Sequence, residues 1–202
     1  MTKPFHHKLK SIVLRVLPIS VVIGGANVTQ AQVPTPLPAV PAVITHDGAR
    51  DFDFLIGDWK AHLWRLPARL VGSTKWLEYE GYSHIHKVFG SNANMEDFEV
   101  HDAKDNLTIR AQTLRLYDPK AHQWSVYGLD VANGQLGLPA TVGEGRAPGL
   151  VELYDSEPWD GRMILVRLQW KSMTPNHAHL EQAFSADGGK TWEVNWINDL
   201  TR

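Results

Sequence analysis

From Asp51 onward, apolar residues recur at every second position in short runs broken by turn-forming residues. A period of two sends successive side chains to opposite faces, which fits a half-buried strand and not a helix of period 3.6. Strands are predicted over 59–66, 75–88, 96–101, 107–117, 123–129, 150–154, 163–170, 178–184 and 191–197. Between them, Asp118-Pro119, Asp160-Gly161 and Asp187-Gly188-Gly189 supply the restricted or positive φ values that tight reversals need. Only 51–57 reads as a short helical turn. Consecutive strands on short loops make an antiparallel meander, and closing it removes the edges that would template aggregation. The expected fold is therefore all-β: an up-and-down barrel of eight to ten strands, whose interior is either packed or holds one small ligand.

The chain before Asp51 has a different character. Residues 1–31 carry Lys3, Lys8, Lys10 and Arg15 and no acid, then an apolar stretch from Val16 to Ala26, then Thr29-Gln30-Ala31. This is the order of a secretory signal peptide, with cleavage expected after Ala31. Its apolar run, interrupted by Pro18 and two glycines, falls short of the ~20 residues of a spanning helix. Pro34, Pro36, Pro38 and Pro41 favour an extended segment that cannot pack a core, so 32–50 is read as a linker and 51–202 as one domain. The mature protein is expected in the periplasm or outside the cell, with no membrane anchor once the signal is removed. There is no cysteine, which excludes disulfides, thiolate metal sites and an acylated N-terminal cysteine. Of 20 basic and 22 acidic residues, the leader takes four basic ones and leaves 16 against 22, a formal charge of −6. A mildly acidic domain without a Lys/Arg cluster argues against nucleic acid as a partner.

Phe52-Asp53-Phe54-Leu55-Ile56-Gly57-Asp58-Trp59 resembles the opening of the calycin superfamily, in which a helical turn leads into Gly-x-Trp on the first strand. The resemblance to lipocalins implies that Trp59 closes one barrel end beneath an arginine from late in the chain, a part Arg202 can take. The stretch from Phe52 to Arg202, with Arg115-Leu-Tyr-Asp-Pro, Trp124 and Glu181-Gln-Ala-Phe-Ser-Ala-Asp-Gly-Gly-Lys-Thr-Trp, is similar to a bacterial calycin-like family recorded only as a domain of unknown function. That likeness implies a fold and no activity. Ser185-Ala-Asp187-Gly-Gly189-Lys-Thr191-Trp192 matches the Asp-box hairpin of sialidase propellers. A single copy cannot build a propeller, so its expected role is to fix a turn.

Parity sorts the strand residues into faces. Ile164, Val166, Leu168 and Trp170 share a face, as do Leu180 with Phe184 and Trp192 with Trp196; these are expected inside, with Arg167, Gln169, Glu181 and Asn195 outside unless a bulge resets the register. His177 and His179 share parity with Glu181 and are expected on the solvated face. His84 and His86 share parity with Trp76, Tyr82 and Val88, which points them inward, and Glu96 alternates with Phe98 and Val100 on the following strand. Two imidazoles and a carboxylate at a pocket mouth suit a facial metal triad or a His/Glu acid–base pair, though buried histidines more often only satisfy backbone groups. His62 shares a face with Trp64 and could enter the cavity as a haem ligand would; a lone histidine is more often a satisfied core residue. Glu78 and Glu80 fall on the same inward parity, a costly placement for two carboxylates.

The leading expectation is an exported protein that binds a small apolar or aromatic molecule in a Trp-rich barrel. Trp76, Tyr82, Phe98, Trp170, Trp192, Trp196 and His62 would line the pocket, with polar anchors from His84, His86 and Glu96. The alternatives are an enzyme using the same two histidines and glutamate, with a metal or by acid–base catalysis, and an interaction module with a filled interior. The sequence names neither a cofactor nor an oligomeric state.

Overall fold

The computed structural model describes residues 47–202 apart from 90, 91, 103, 105 and 106. Residues 1–46, which include the segment 1–31 expected to be a signal peptide and most of the expected linker 32–50, lie outside the described residues. Eleven strands follow two 3₁₀ turns at Gly48–Arg50 and Asp53–Leu55. They are β1 (Gly57–Arg65), β2 (Leu77–Lys87), β3 (Ala93–Asp102), β4 (Leu107–Asp118), β5 (Gln123–Asp130), β6 (Gln135–Leu136), β7 (Thr141–Ala147), β8 (Leu150–Trp159), β9 (Arg162–Thr174), β10 (His177–Ser185) and β11 (Glu193–Thr201).

Every pairing is antiparallel. β1 to β5 follow one another around the wall, β7 to β11 continue it, and β11 pairs with β1 to close a ten-stranded up-and-down barrel of the lipocalin-like kind. The short β6 is the extra strand, lying on the edge of β5 that β7 also uses. The Gly-containing β7 has no counterpart among the predicted strands. A Cβ at Gly143 would sit 1.9 Å from the Glu152 carbonyl oxygen, so this strand needs glycine to approach β8 and carries a weak apolar alternation.

The N-terminal turns plug one end of the barrel. Phe52 and Leu55 are fully buried there, and Phe52 meets the Trp124 ring edge-on at 5.0 Å between centroids. Residues 47–50, read from the sequence as the end of the linker, take part in this closure: the Gly48 amide donates to the Tyr117 hydroxyl at 2.9 Å, and the Trp124 indole donates to the Gly48 carbonyl at 2.9 Å. The Trp59 indole donates to the Leu55 carbonyl at 2.7 Å. Arg202 lies 4.0 Å above the Trp59 ring and donates to the carbonyls of Ile56 and Pro175, each at 3.0 Å. Gly57, at φ +129°, leaves the room this guanidinium occupies.

The opposite end carries the Asp-box hairpin, and every polar atom of the motif has a turn to hold. Asp187 accepts from the Lys190 and Thr191 amides at 3.0 and 2.9 Å and from the Ser185 and Thr191 hydroxyls at 2.8 and 2.7 Å. Those bonds, the Thr191 amide first, hold its carboxyl down at about 2. Leu70, Ile164, Val166, Phe184 and Trp159 pack into a second, smaller core beside it.

Candidate functional site

Ten strands enclose more room than eight, because barrel diameter grows with strand number. Along β3 and β4 the inward residues pair as Asn94 with Arg115, Glu96 with Thr113 and Phe98 with Ala111. Facing them, β9, β10 and β11 present Leu168 and Trp170, Leu180, and Trp196 and Asn198. Between these walls lies a cavity of 220 Å³. It is continuous at Phe98, Ala111, Thr113 and Gly128 with a wide outer cleft. That cleft forms because β4 runs past its last pair with β5, Gln112 with Leu129, leaving its first residues without a β5 partner.

The cavity lining mixes aromatic and polar groups. Phe98, Trp170 and Trp196 supply aromatic surface, with the Phe98 and Trp196 centroids 6.5 Å apart. Beside them, Arg115 is 1% exposed and Glu96 5%, and they form an ion pair inside the barrel. Ser83 donates to Glu96 at 2.7 Å, and Arg115 donates to the Asn94 side-chain oxygen at 3.1 Å. The guanidinium is further held between the Phe52 and Trp170 rings, 5.4 and 5.6 Å from their centroids. Among the described residues, two buried side-chain atoms have no hydrogen-bond partner, Arg115 Nε and Asn198 Oδ1, and both residues belong to the cavity wall.

The expected trio of His84, His86 and Glu96 does not assemble. The inward residues of β2 are Tyr79, Ser83 and Ile85, while Tyr82, His84 and His86 face out. Glu96 is inside, but His84 bonds Asp58 on the outer surface at 2.5 Å, and His86 stacks on His84. Trp76, Tyr82 and Val88 share their parity with Glu78, Glu80 and two imidazoles, and the cost of desolvating those polar groups decides the face. Among the described residues no group of three or more histidines, aspartates and glutamates is arranged to hold a metal ion. His62 also lies outside, bonded to Glu78 at 2.5 Å and stacked 3.9 Å from Trp64.

Of the aromatic residues expected in the pocket, Phe98, Trp170 and Trp196 line the cavity. Tyr82 lines the outer cleft, and Trp76 is 37% exposed ahead of β2. Trp192 is thrown to the outer face. β10 pairs Gln182 with Trp196 and Ala183 with Val194, so Asn195 is an extra residue, a bulge that reverses parity between Trp196 and Trp192. Trp192 accordingly lies under the Arg167 guanidinium and near Tyr154, while Asn195 is fully buried instead of exposed, bonded to Gln182 at 2.7 Å. His177 and His179 lie on the outer face as expected, both bonded to Asp199.

Arg115 and Asn198 were missed as site residues although the sequence carries their parity. Arg115 alternates with Tyr117, and Asn198 shares parity with Trp196. A second inward polar group was also missed: Asp155 and Glu157 on β8 lie opposite Val166 and Ile164. Burial raises both carboxyls, with Asp155 adding to the effect on Glu157. Nearby Arg69 is lowered by burial and then by Arg65.

The fold and cavity define a closed antiparallel barrel with an interior of mixed polarity. No protein-family model and no curated protein matches the chain.

Proposed function

We propose that this is an exported protein that binds a small, largely aromatic or apolar molecule inside its barrel. What supports the reading is the 220 Å³ cavity, in which tryptophan and phenylalanine rings stand beside the buried Glu96–Arg115 pair. Aromatic surface with a few fixed polar groups is the usual lining of a small-molecule site. Anchoring falls to Glu96, Arg115 and Asn198 rather than to the outer-face histidines. The acidic balance of the mature chain and its basic leader favour export without a nucleic-acid or membrane partner.

The test is native mass spectrometry of protein recovered from the periplasm or medium of its host. The expected species begins at Gln32 and carries a stoichiometric small-molecule adduct, and Trp196→Ala weakens retention of that adduct. A product retaining Met1 overturns signal cleavage. Protein that carries no adduct, and whose tryptophan emission is unchanged by a panel of aromatic and fatty ligands, overturns binding.

A further inference from the structure

Among the described glycines, Gly128 alone has neither a positive φ nor any protein atom within 4 Å of the point where a Cβ would stand. Gly81 and Gly143 also lie within strands, but there a Cβ would sit 1.9 Å from a neighbouring carbonyl oxygen, so the packing itself requires glycine. Inside β5 a glycine weakens the strand, and no contact of the fold demands it at 128. The space it leaves lies at the neck where the cavity opens into the outer cleft.

We infer that Gly128 keeps open a doorway in the barrel wall and that the ligand is an elongated molecule lying through it; this rests on the binding reading above. An aromatic ring occupies the cavity, a short chain the neck and a polar, hydrogen-bonding end the cleft. Gly128 pairs with Thr113, so both face the interior, and Ala111 continues that face of β4 toward Ile109. Inward positions of an unbroken wall are shielded, as Arg115 is at 1% exposure, yet Ala111 and Gly128 are exposed. Solvent therefore reaches the interior face between β4 and β5, at the point beyond which β4 has no β5 partner. A cavity of roughly 150 Å³ accepts benzene, so one ring system fills 220 Å³ and a longer molecule must continue through the neck. Phe98, Trp170 and Trp196 suit the ring. Past the neck the lining turns to Asp97, Glu99, Arg110, Gln112 and Gln135, which suits a polar end and not a second apolar one.

Indole and N-acetyltryptamine test this, since they share a ring system and differ in a short chain ending in an amide. Isothermal titration calorimetry on the purified protein should find N-acetyltryptamine tighter by about tenfold, the scale of one buried hydrogen bond. Valine is stiff at χ1 and holds its methyl groups where the backbone sets them, so Gly128→Val should bring that ratio down to about one. Ala111→Val narrows the neck from the β4 side and should lower the ratio in the same direction. The melting temperature of Gly128→Val should equal that of the wild type or exceed it, because a β-branched residue suits the strand. A lowered melting temperature, or failure to fold, would mean that the fold itself needs glycine there and would overturn the doorway. Equal binding of the two probes by the wild type, or a ratio that survives both substitutions, overturns the inference while leaving the cavity a ligand site. No saturable binding of either probe overturns the binding reading and the doorway with it.

Discussion

Arg115 joins the site to the stability of the barrel, because its guanidinium is ion-paired, hydrogen-bonded and ring-stacked where solvent does not reach. Removing one partner of a buried pair strands the other's charge, so Arg115→Met should cost about 3–5 kcal/mol in urea unfolding. Replacing both, as Glu96→Leu with Arg115→Met, should recover most of that loss, since the apolar pair strands no charge. Asp187 shows the opposite situation, a surface carboxylate whose work is to hold amides. Its folded value near 2 lies below its ordinary 3.8. Its contribution is therefore complete above about 4 and lost as pH falls through 2. NMR titration should find the Asp187 carboxyl shift moving at about pH 2, with the Lys190 and Thr191 amides shifting together with it; a midpoint near 3.8 would mean the turn does not form these bonds.

β8 illustrates how an element keeps its alternation when the residues resist it. Val151 and Leu153 are fully buried, and continuing the same parity brings Asp155 and Glu157 inward against Val166 and Ile164. Burial, followed by the neighbouring Asp155, pushes the Glu157 carboxyl above its ordinary 4.5. The folded chain thus holds this proton more tightly than the unfolded chain, and stability declines as pH rises from about 4.5 through the raised value. Glu157→Gln should leave the urea midpoint unchanged at pH 4 and raise it at pH 7.5; an equal shift at both pH values would point to packing instead of charge. On β2 the sequence held the relevant clue, since Glu78, Glu80, His84 and His86 share one parity and only the outer face accommodates all four. On β11 no such clue existed. The bulge at Asn195 is set by pairing with β10, and a single-residue insertion leaves no trace in local alternation.

At the scale of the molecule, Arg202 buttresses the barrel's closed end. Arg202 covers Trp59 and ties β11 to the carbonyls of Ile56 and Pro175. Arg202→Ala should lower the stability of the whole domain by about 1 kcal/mol, the combined scale of an exposed cation–π contact and its hydrogen bonds. Thermal unfolding followed by tryptophan fluorescence checks this, and an unchanged midpoint would show that the plug of Phe52 and Leu55 closes the end without it. Strand periodicity and turn chemistry are local, and they alone dictated an antiparallel all-β barrel with Phe98, Trp170 and Trp196 facing inward. The pairing of Glu96 with Arg115 and the outward turn of Trp192 arise from register between neighbouring strands, β3 with β4 and β10 with β11, and the meeting of Arg115 with Trp170 from closure of the sheet; local alternation carries none of these.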